Sequence, residues 1–233
     1  MSAVFVAGVG TDVGKTHIAA GLIRTLRAAG RPVSALKPLV SGFDAADWNT
    51  SDPGRLLAAL GREQNLAELD RLSPWRYAAP LAPDMAAARE GRDIDLEGII
   101  ALCRREIAAE ADGLLLVEGV GGVMSPIAPR ATNLDWMRAL DIPVLLVGGS
   151  YLGAISHMLT AIAVLRGAGL RLAAVVVSQS PQAGTPFDET LASLERLSGL
   201  AMGGVARDAA DETWAPAVLR ALDATLKSAK VTE

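Results

Sequence analysis

A single cysteine, Cys103, stands among 233 residues, so an internal disulfide and a multi-cysteine metal site are both excluded. It falls in the helical stretch IIALCRREI, where a buried structural thiol is expected rather than a nucleophile. Aromatic residues make up only 4% of a chain that is 51% hydrophobic, so Ala, Leu and Val carry the apolar content. Aliphatic strands covered by Ala-rich helices give that balance. Trp48, Trp75, Trp136 and Trp214 are scattered and form no stacking platform. Basic residues are not in excess: 22 Lys and Arg against 26 Asp and Glu leave a net charge of −4, with no basic stripe for a nucleic-acid partner. No apolar run approaches the roughly 18 residues that a membrane span needs. The N-terminus also lacks the basic start of a secretory signal. The expectation is a soluble, cytoplasmic protein that binds neither membrane nor nucleic acid.

What the chain does have is a series of short, continuous aliphatic runs bounded by glycine or polar residues. They are AVFVAG (3–8), PVSALK (32–37), GLLLVEG (113–119), PVLLVGG (143–149) and RLAAVVVSQ (171–179). Continuous runs suit strands buried on both faces. Helical patterns separate them. THIAAGLIRTLRAAG (16–30) places Ile18, Leu22, Ile23 and Leu26 along one stripe and ends at Gly30. Further helices are predicted after Asp52 (DPGRLLAALG), over 94–111, 152–169 and 185–199, and near the C-terminus, where Pro216 limits the start. This alternation predicts a single-domain α/β chain, residues 1–233, with a mostly parallel sheet and helices on both faces. The stretch 40–93 holds Pro53, Pro74, Pro80 and Pro83 and reads as a loop-rich insertion lining a site.

Ligands in such sheets sit at the carboxyl ends of the strands. The first strand runs into Gly8-Val-Gly-Thr-Asp-Val-Gly14-Lys15-Thr16, a phosphate-binding pattern with five residues between Gly8 and Gly14 where the familiar form has four. A helix beginning near Lys15 offers free N–H groups and the positive end of its dipole. Gly14 permits close approach of the backbone, Lys15 reaches terminal phosphates and the Thr16 hydroxyl suits Mg²⁺. Gly-Lys-Thr alone occurs in many proteins, but its place between a buried strand and an amphipathic helix favours a nucleotide. Glu118 ends the strand LLLVE before Gly119-Val120-Gly121-Gly122 and is either a metal-binding carboxylate or a solvated strand end. KPLVSG (37–42) places Lys37 at the end of a strand expected beside the first, facing the same crevice, with Ser41 close by. A second lysine there suits an anionic substrate, and an exposed strand-end lysine is the plainer reading. Ser51 or Asp52 caps the following helix, Asp52 serves a metal, or both. His17 and His157 lie on helices, where packing or exposure explains them, and Asp208, Asp211 and Glu212 read as a solvated turn.

These motifs, in this order, resemble the dethiobiotin synthetases. The match takes in GxxTDVGKT (8–16), KPLVSG (37–42), Ser51-Asp52, APLAP (79–83), EGVGG (118–122), LGAISH (152–157) and GLRLAAVV (169–176), which is nearly the whole chain. That family carries the longer phosphate loop. The resemblance implies a P-loop NTPase-like fold and an ATP-dependent, Mg²⁺-requiring ligase that closes a ureido ring on diaminononanoate with CO₂. It implies Lys37 and Lys15 as catalytic lysines, Thr11 and Ser41 as carbamate contacts, and Thr16, Asp52 and Glu118 as the metal set. Asp12, Val13, Gly14, Lys15, Thr16, His17, Asp52, Glu118, Gly119, Val120 and Gly121 would contact ATP, with Ser178 and Gln179 at the base. It further implies a homodimer formed through LGAISH. Ser178 stands where the family often has asparagine, and GGVARD (203–208) replaces a Pro-containing segment, so ATP or another nucleoside triphosphate stays open. Asp84 stands where a histidine is common.

Two other readings share the loop. An amidotransferase-type synthetase needs a nucleophilic cysteine in a glutaminase domain, and Cys103 does not supply it. A partitioning or septum-placement ATPase usually carries an extra lysine early in the loop, whereas positions 9–11 are Val-Gly-Thr.

Overall fold

The computed structural model describes residues 2–110, 112–181 and 185–229. Six strands form one sheet: β1 (Ser2–Gly8), β2 (Val33–Leu36), β5 (Leu114–Glu118), β8 (Val144–Gly149), β9 (Leu172–Ser178) and β10 (Gly203–Val205). Their spatial order is β10-β9-β8-β1-β5-β2, and every neighbouring pair is parallel. Two small two-stranded sheets flank it, β3 (Leu39–Ser41) with β4 (Trp75–Tyr77) and β6 (Pro126–Ala128) with β7 (Ala131–Thr132).

The continuous aliphatic runs are buried on both faces, as their composition requires. Along β1, Val4 and Val6 face one core while Ala3, Phe5 and Ala7 face the other. The first core is closed by α1 (Lys15–Ala28), α2 (Asp52–Leu60), α3 (Leu66–Leu72) and α9 (Asp211–Ala229). The second is closed by α4 (Pro83–Arg89), α5 (Leu96–Ala109), α6 (Asn133–Leu140), α7 (Ala154–Gly167) and α8 (Phe187–Ser198). Ile18, Leu22, Ile23 and Leu26 of α1 are fully buried, each contributing about 1.5–3 kcal/mol of transfer free energy. Gly21 lets α9 approach α1 closely: a Cβ there would lie 2.4 Å from the Trp214 ring.

Several expectations are corrected. β2 does not neighbour β1, because β5 lies between them. The proline-rich stretch 40–93 is largely structured, holding β3, α2, α3, β4 and α4, and Pro53 and Pro83 sit in the first turns of α2 and α4. Pro216 lies inside α9 rather than at its start. Asp211 opens α9 and pairs with Arg24 at 2.6 Å rather than lying in a solvated turn. The last residue of the helix expected over 94–111 lies outside the described residues. Cys103 is fully buried in α5, and burial pushes its thiol up to about 12, which fits a structural residue. Trp136 is buried edge-on to Phe5, with ring centroids 5.0 Å apart.

Candidate active site

At the carboxyl end of β1 the chain turns through residues 9–14 into α1, and two residues take left-handed backbone conformations: Asp12 (φ 55°) and Gly14 (φ 96°). Among the described residues, no acceptor takes the N–H groups of residues 10–16. A row of free N–H groups at a helix N-terminus is an anion-binding concavity. Gly8 leaves room for Lys15 to fold back over the loop, since a Cβ would stand 2.9 Å from Lys15 Cδ. Lys15 Nζ donates to the Gly10 carbonyl at 2.8 Å. Burial and then the neighbouring Lys37 lower the Lys15 pKa from 10.5 to about 8, with Glu118, Asp52 and Asp12 pulling the other way.

The second lysine lies deeper. Lys37, 2% exposed, follows β2 and donates to Glu118 Oε1 at 2.6 Å and to the Gly119 carbonyl at 2.9 Å. Its Nζ is also 3.1 Å from Asp52 Oδ2. These partners engage all three donors of the ammonium. Burial disfavours the charge, but Glu118 and Asp52 outweigh it and hold the Lys37 pKa above its ordinary value. Glu118 Oε1 accepts from the Thr16 hydroxyl as well, at 2.7 Å, while Oε2 is buried without a donor among the described residues. Asp52 leads α2, turned towards Lys37 with its side chain 43% exposed. Burial would raise its pKa, but Lys37, the Thr16 hydroxyl and Lys15 hold it below the usual carboxylate value. Neither Ser51 nor Asp52 caps α2 through its side chain, so the capping alternative is not realised.

Beside this cluster the Glu118–Gly122 segment packs on the glycine loop. A Cβ on Gly122 would lie 2.9 Å from the Val9 carbonyl oxygen, and one on Gly121 (φ 63°) 3.8 Å from Thr11 Oγ1. Asn133, which the sequence did not single out, donates from Nδ2 to the carbonyls of Val120 and, at 2.7 Å, Gly122. Its partners are backbone groups 13 and 11 residues away, which no sequence motif signals.

Among the described residues, the remaining candidates form no hydrogen bond or ion pair with the cluster. Val13 is buried and Thr11 exposed in the loop. His17 is exposed on α1 with its ring 6.2 Å from that of Trp214. Ser41 ends β3 in register with Tyr77. Ser178 lies against the loop, since a Cβ on Gly14 would be 2.9 Å from its Oγ. The Gln179 N–H donates to Val205 at 2.9 Å, and its Oε1 accepts from Arg207 N at 2.8 Å. Asp84 sits in the first turn of α4 and His157 in α7. Two surface cavities of about 420 Å³ lie elsewhere, one at the amino ends of β1 and β5 and one beside β2. None of the cluster residues lines either cavity.

Two lysines, two carboxylates and a hydroxyl thus converge at a nest of free N–H groups, an arrangement suited to phosphates and an anionic co-substrate. A family model described as an AAA domain matches residues 2–206. The chain is 51% identical over 211 residues to "ATP-dependent dethiobiotin synthetase BioD" of Methylobacterium nodulans, covering 89% of this chain and 94% of that protein. It is 50% identical over 229 residues to the protein of the same name from Phenylobacterium zucineum, covering 96% of each. Among solved structures, the MinC:MinD cell division protein complex of Aquifex aeolicus aligns over 89% of this chain and 82% of that chain with a TM-score of 0.56. At 12% identity that likeness shows the fold alone, a P-loop NTPase-like parallel sheet.

Proposed function

The chain belongs to the ATP-dependent dethiobiotin synthetases, the carbon–nitrogen ligases of biotin biosynthesis, and from that membership we propose how its residues carry the reaction. One amine of 7,8-diaminononanoate attacks CO₂ and loses a proton, giving a carbamate. A carbamate oxygen attacks the γ-phosphorus of ATP and ADP departs, leaving a carbamic–phosphoric anhydride. The second amine then attacks the carbonyl carbon, the bond from that carbon to the phosphate oxygen breaks, and phosphate leaves with the proton that the amine gives up as the ureido ring closes. One domain spanning residues 1–233 is proposed to carry all three steps.

The observation that carries this reading is the pairing of Lys37 with Glu118 and Asp52, with Lys15 folded back onto the Gly10 carbonyl, beside the free N–H groups of residues 10–16. Carbamate and γ-phosphate are both anions, and bringing them together costs Coulomb energy that fixed cations offset. In this role Lys15 exchanges the Gly10 carbonyl for phosphate oxygens, and Lys37 gives up a carboxylate partner to meet the transferring group. Thr11, and Ser41 on β3, are assigned to hold the carbamate. The loop from Asp12 to His17 and the segment Glu118–Gly121 hold the phosphates, with Ser178 and Gln179 at the base. The carbamate oxygen is already nucleophilic, so the transfer step needs positioning more than a base.

Thr16, Asp52 and Glu118 are assigned to Mg²⁺, since a hydroxyl and two carboxylates are the hard oxygen donors that this ion takes. The buried, unpartnered Glu118 Oε2 supports the fit. When bound, the ion neutralises phosphate charge. We also propose a homodimer through residues 152–157, where Leu152 is 83% exposed in the turn before α7, and a cytoplasmic location. Among the described residues no helix is long and apolar enough to cross a membrane.

The test is to mix purified protein with diaminononanoate, bicarbonate, Mg²⁺ and either ATP or CTP and to look for dethiobiotin by mass spectrometry. Product with at least one nucleotide is expected, and the ratio between the two measures base preference. No product with any nucleotide would overturn the reading.

A further inference from the structure

The segment after Glu118 is oriented one peptide at a time by side chains from outside it. The Gly119 carbonyl accepts from Lys37 at 2.9 Å, and the Val120 carbonyl accepts from Asn133 Nδ2. The Gly122 carbonyl accepts from the same amide at 2.7 Å and from Ser125 N at 3.0 Å. The Gly122 N–H is held by Ser125 Oγ at 2.7 Å. Two N–H groups are left: among the described residues no acceptor takes those of Val120 and Gly121.

In a trans peptide the carbonyl and the following N–H point to opposite sides. Because the Val120 carbonyl is turned to Asn133, the Gly121 N–H is turned away from α6. Gly121 itself borders Thr11 of the glycine loop, across the distance already given. Asn133 is only 3% exposed and leads α6, whose first turn is tied down by the Thr132 N–H and hydroxyl, both donating to Asp135 Oδ2 at 2.8 and 2.9 Å, so the amide is held at a fixed helix start. Both partners of its nitrogen are carbonyls, which settles which end of the amide is the NH₂ group. Its Oδ1 is buried without a donor among the described residues. A residue serving only to fill this space would be leucine, which leaves no orphaned oxygen. The amide is there for its two N–H donors.

We propose that Asn133 is a positioning residue for phosphoryl transfer, holding the Val120–Gly121 peptide so that the Gly121 N–H faces the nucleotide phosphates opposite the glycine loop. Asn133 acts through the backbone and touches no substrate. The proposal rests on reading the crevice as a nucleotide site and does not depend on which acceptor the γ-phosphate meets.

Two measurements test it. In ¹⁵N-labelled wild-type protein, a non-hydrolysable ATP analogue with Mg²⁺ is expected to shift the Gly121 amide resonance. In Asn133→Ala, assayed well below its melting temperature, the ATP KM is expected to rise and kcat to fall, each about tenfold or more, as misplacement of a reacting group produces. The KM for diaminononanoate is expected to stay within twofold. A Gly121 amide that nucleotide leaves unmoved would overturn the proposal, and this readout needs no variant to fold. Wild-type ATP kinetics in a variant that merely melts lower would also overturn it, leaving Asn133 a packing residue. If wild-type protein bound nucleotide through Gly121 but made no dethiobiotin, the proposed reaction would fall and the assignment of Asn133 would stand.

Discussion

Replacing Lys37 with methionine removes the only ammonium among the described residues that engages Glu118 directly, while keeping most of the side-chain volume. Glu118 is 1% exposed, and without Lys37 its Oε1 retains the Thr16 hydroxyl while Oε2 still has no donor among the described residues. Breaking a buried pair by removing one partner costs about 3–5 kcal/mol, because the remaining charge is buried and uncompensated. Against a total stability of about 5–15 kcal/mol, that loss is large. Adding Glu118→Gln removes the stranded charge, so Lys37→Met/Glu118→Gln should regain most of the stability but none of the turnover. Urea unfolding followed by circular dichroism on the wild type, both single variants and the double variant closes the cycle, and a coupling energy of about 2 kcal/mol or more is expected. Dethiobiotin formation measured on the same samples should be lost in all three variants. A Lys37→Met protein as stable as wild type, with coupling below about 0.5 kcal/mol, would refute the buried pair. Normal turnover by that variant would remove Lys37 from the reaction.

Other outcomes follow from the same geometry. Lys15 loses its proton at about 8 in the nucleotide-free protein, and phosphate oxygens favour its charged form, so binding above that pH takes up a proton. ATP affinity should therefore fall as pH rises above 8, by at most about tenfold per unit, and titration calorimetry at pH 8.5 should give a heat that depends on the buffer's ionisation enthalpy. A buffer-independent heat would contradict the lowered pKa. For stability the sign is set by the unfolded chain, which holds this proton up to about 10.5, so the cost of burying charged Lys15 shrinks as pH rises from 8 towards that value. Gly14→Ala forces a side chain onto a residue at φ 96° and against Ser178, so nucleotide affinity should drop, with about 1–3 kcal/mol of added strain in thermal melts. Gly21→Ala pushes a methyl group into the Trp214 ring and should cost about 1–3 kcal/mol of stability by urea unfolding, with ATP KM unchanged when assayed below the melting transition.

The sheet was legible because its five longest strands are continuous aliphatic runs. β10 escaped because Gly203-Gly204-Val205 has no such run and is recruited by pairing with β9. The short helices α3 and α4 and the paired strands β3 and β4 were hidden in the proline-rich stretch, where Pro83 opens α4 rather than marking a loop, and α6 is only eight residues long. In the site, Lys15 and Thr16 stood out as the Gly-Lys-Thr that opens a helix, and Lys37 and Glu118 as charges at strand ends, whereas Asp52 read equally as a helix cap until the family resemblance favoured a metal role. What stayed hidden is how they are connected: that Lys37 is bonded to the carboxylates assigned to metal depends on β5 lying between β1 and β2. Asn133 left no trace in the sequence, because its partners are carbonyls that every residue possesses.

If the carbamate oxygen attacks the γ-phosphate, as proposed, the fate of that oxygen reports it most directly. With ¹⁸O-labelled bicarbonate supplied to enzyme, diaminononanoate, Mg²⁺ and ATP in a single turnover, one labelled oxygen should appear in the released phosphate as dethiobiotin forms. Phosphate free of label, in a reaction that still yields dethiobiotin, would contradict the phosphorylated carbamate.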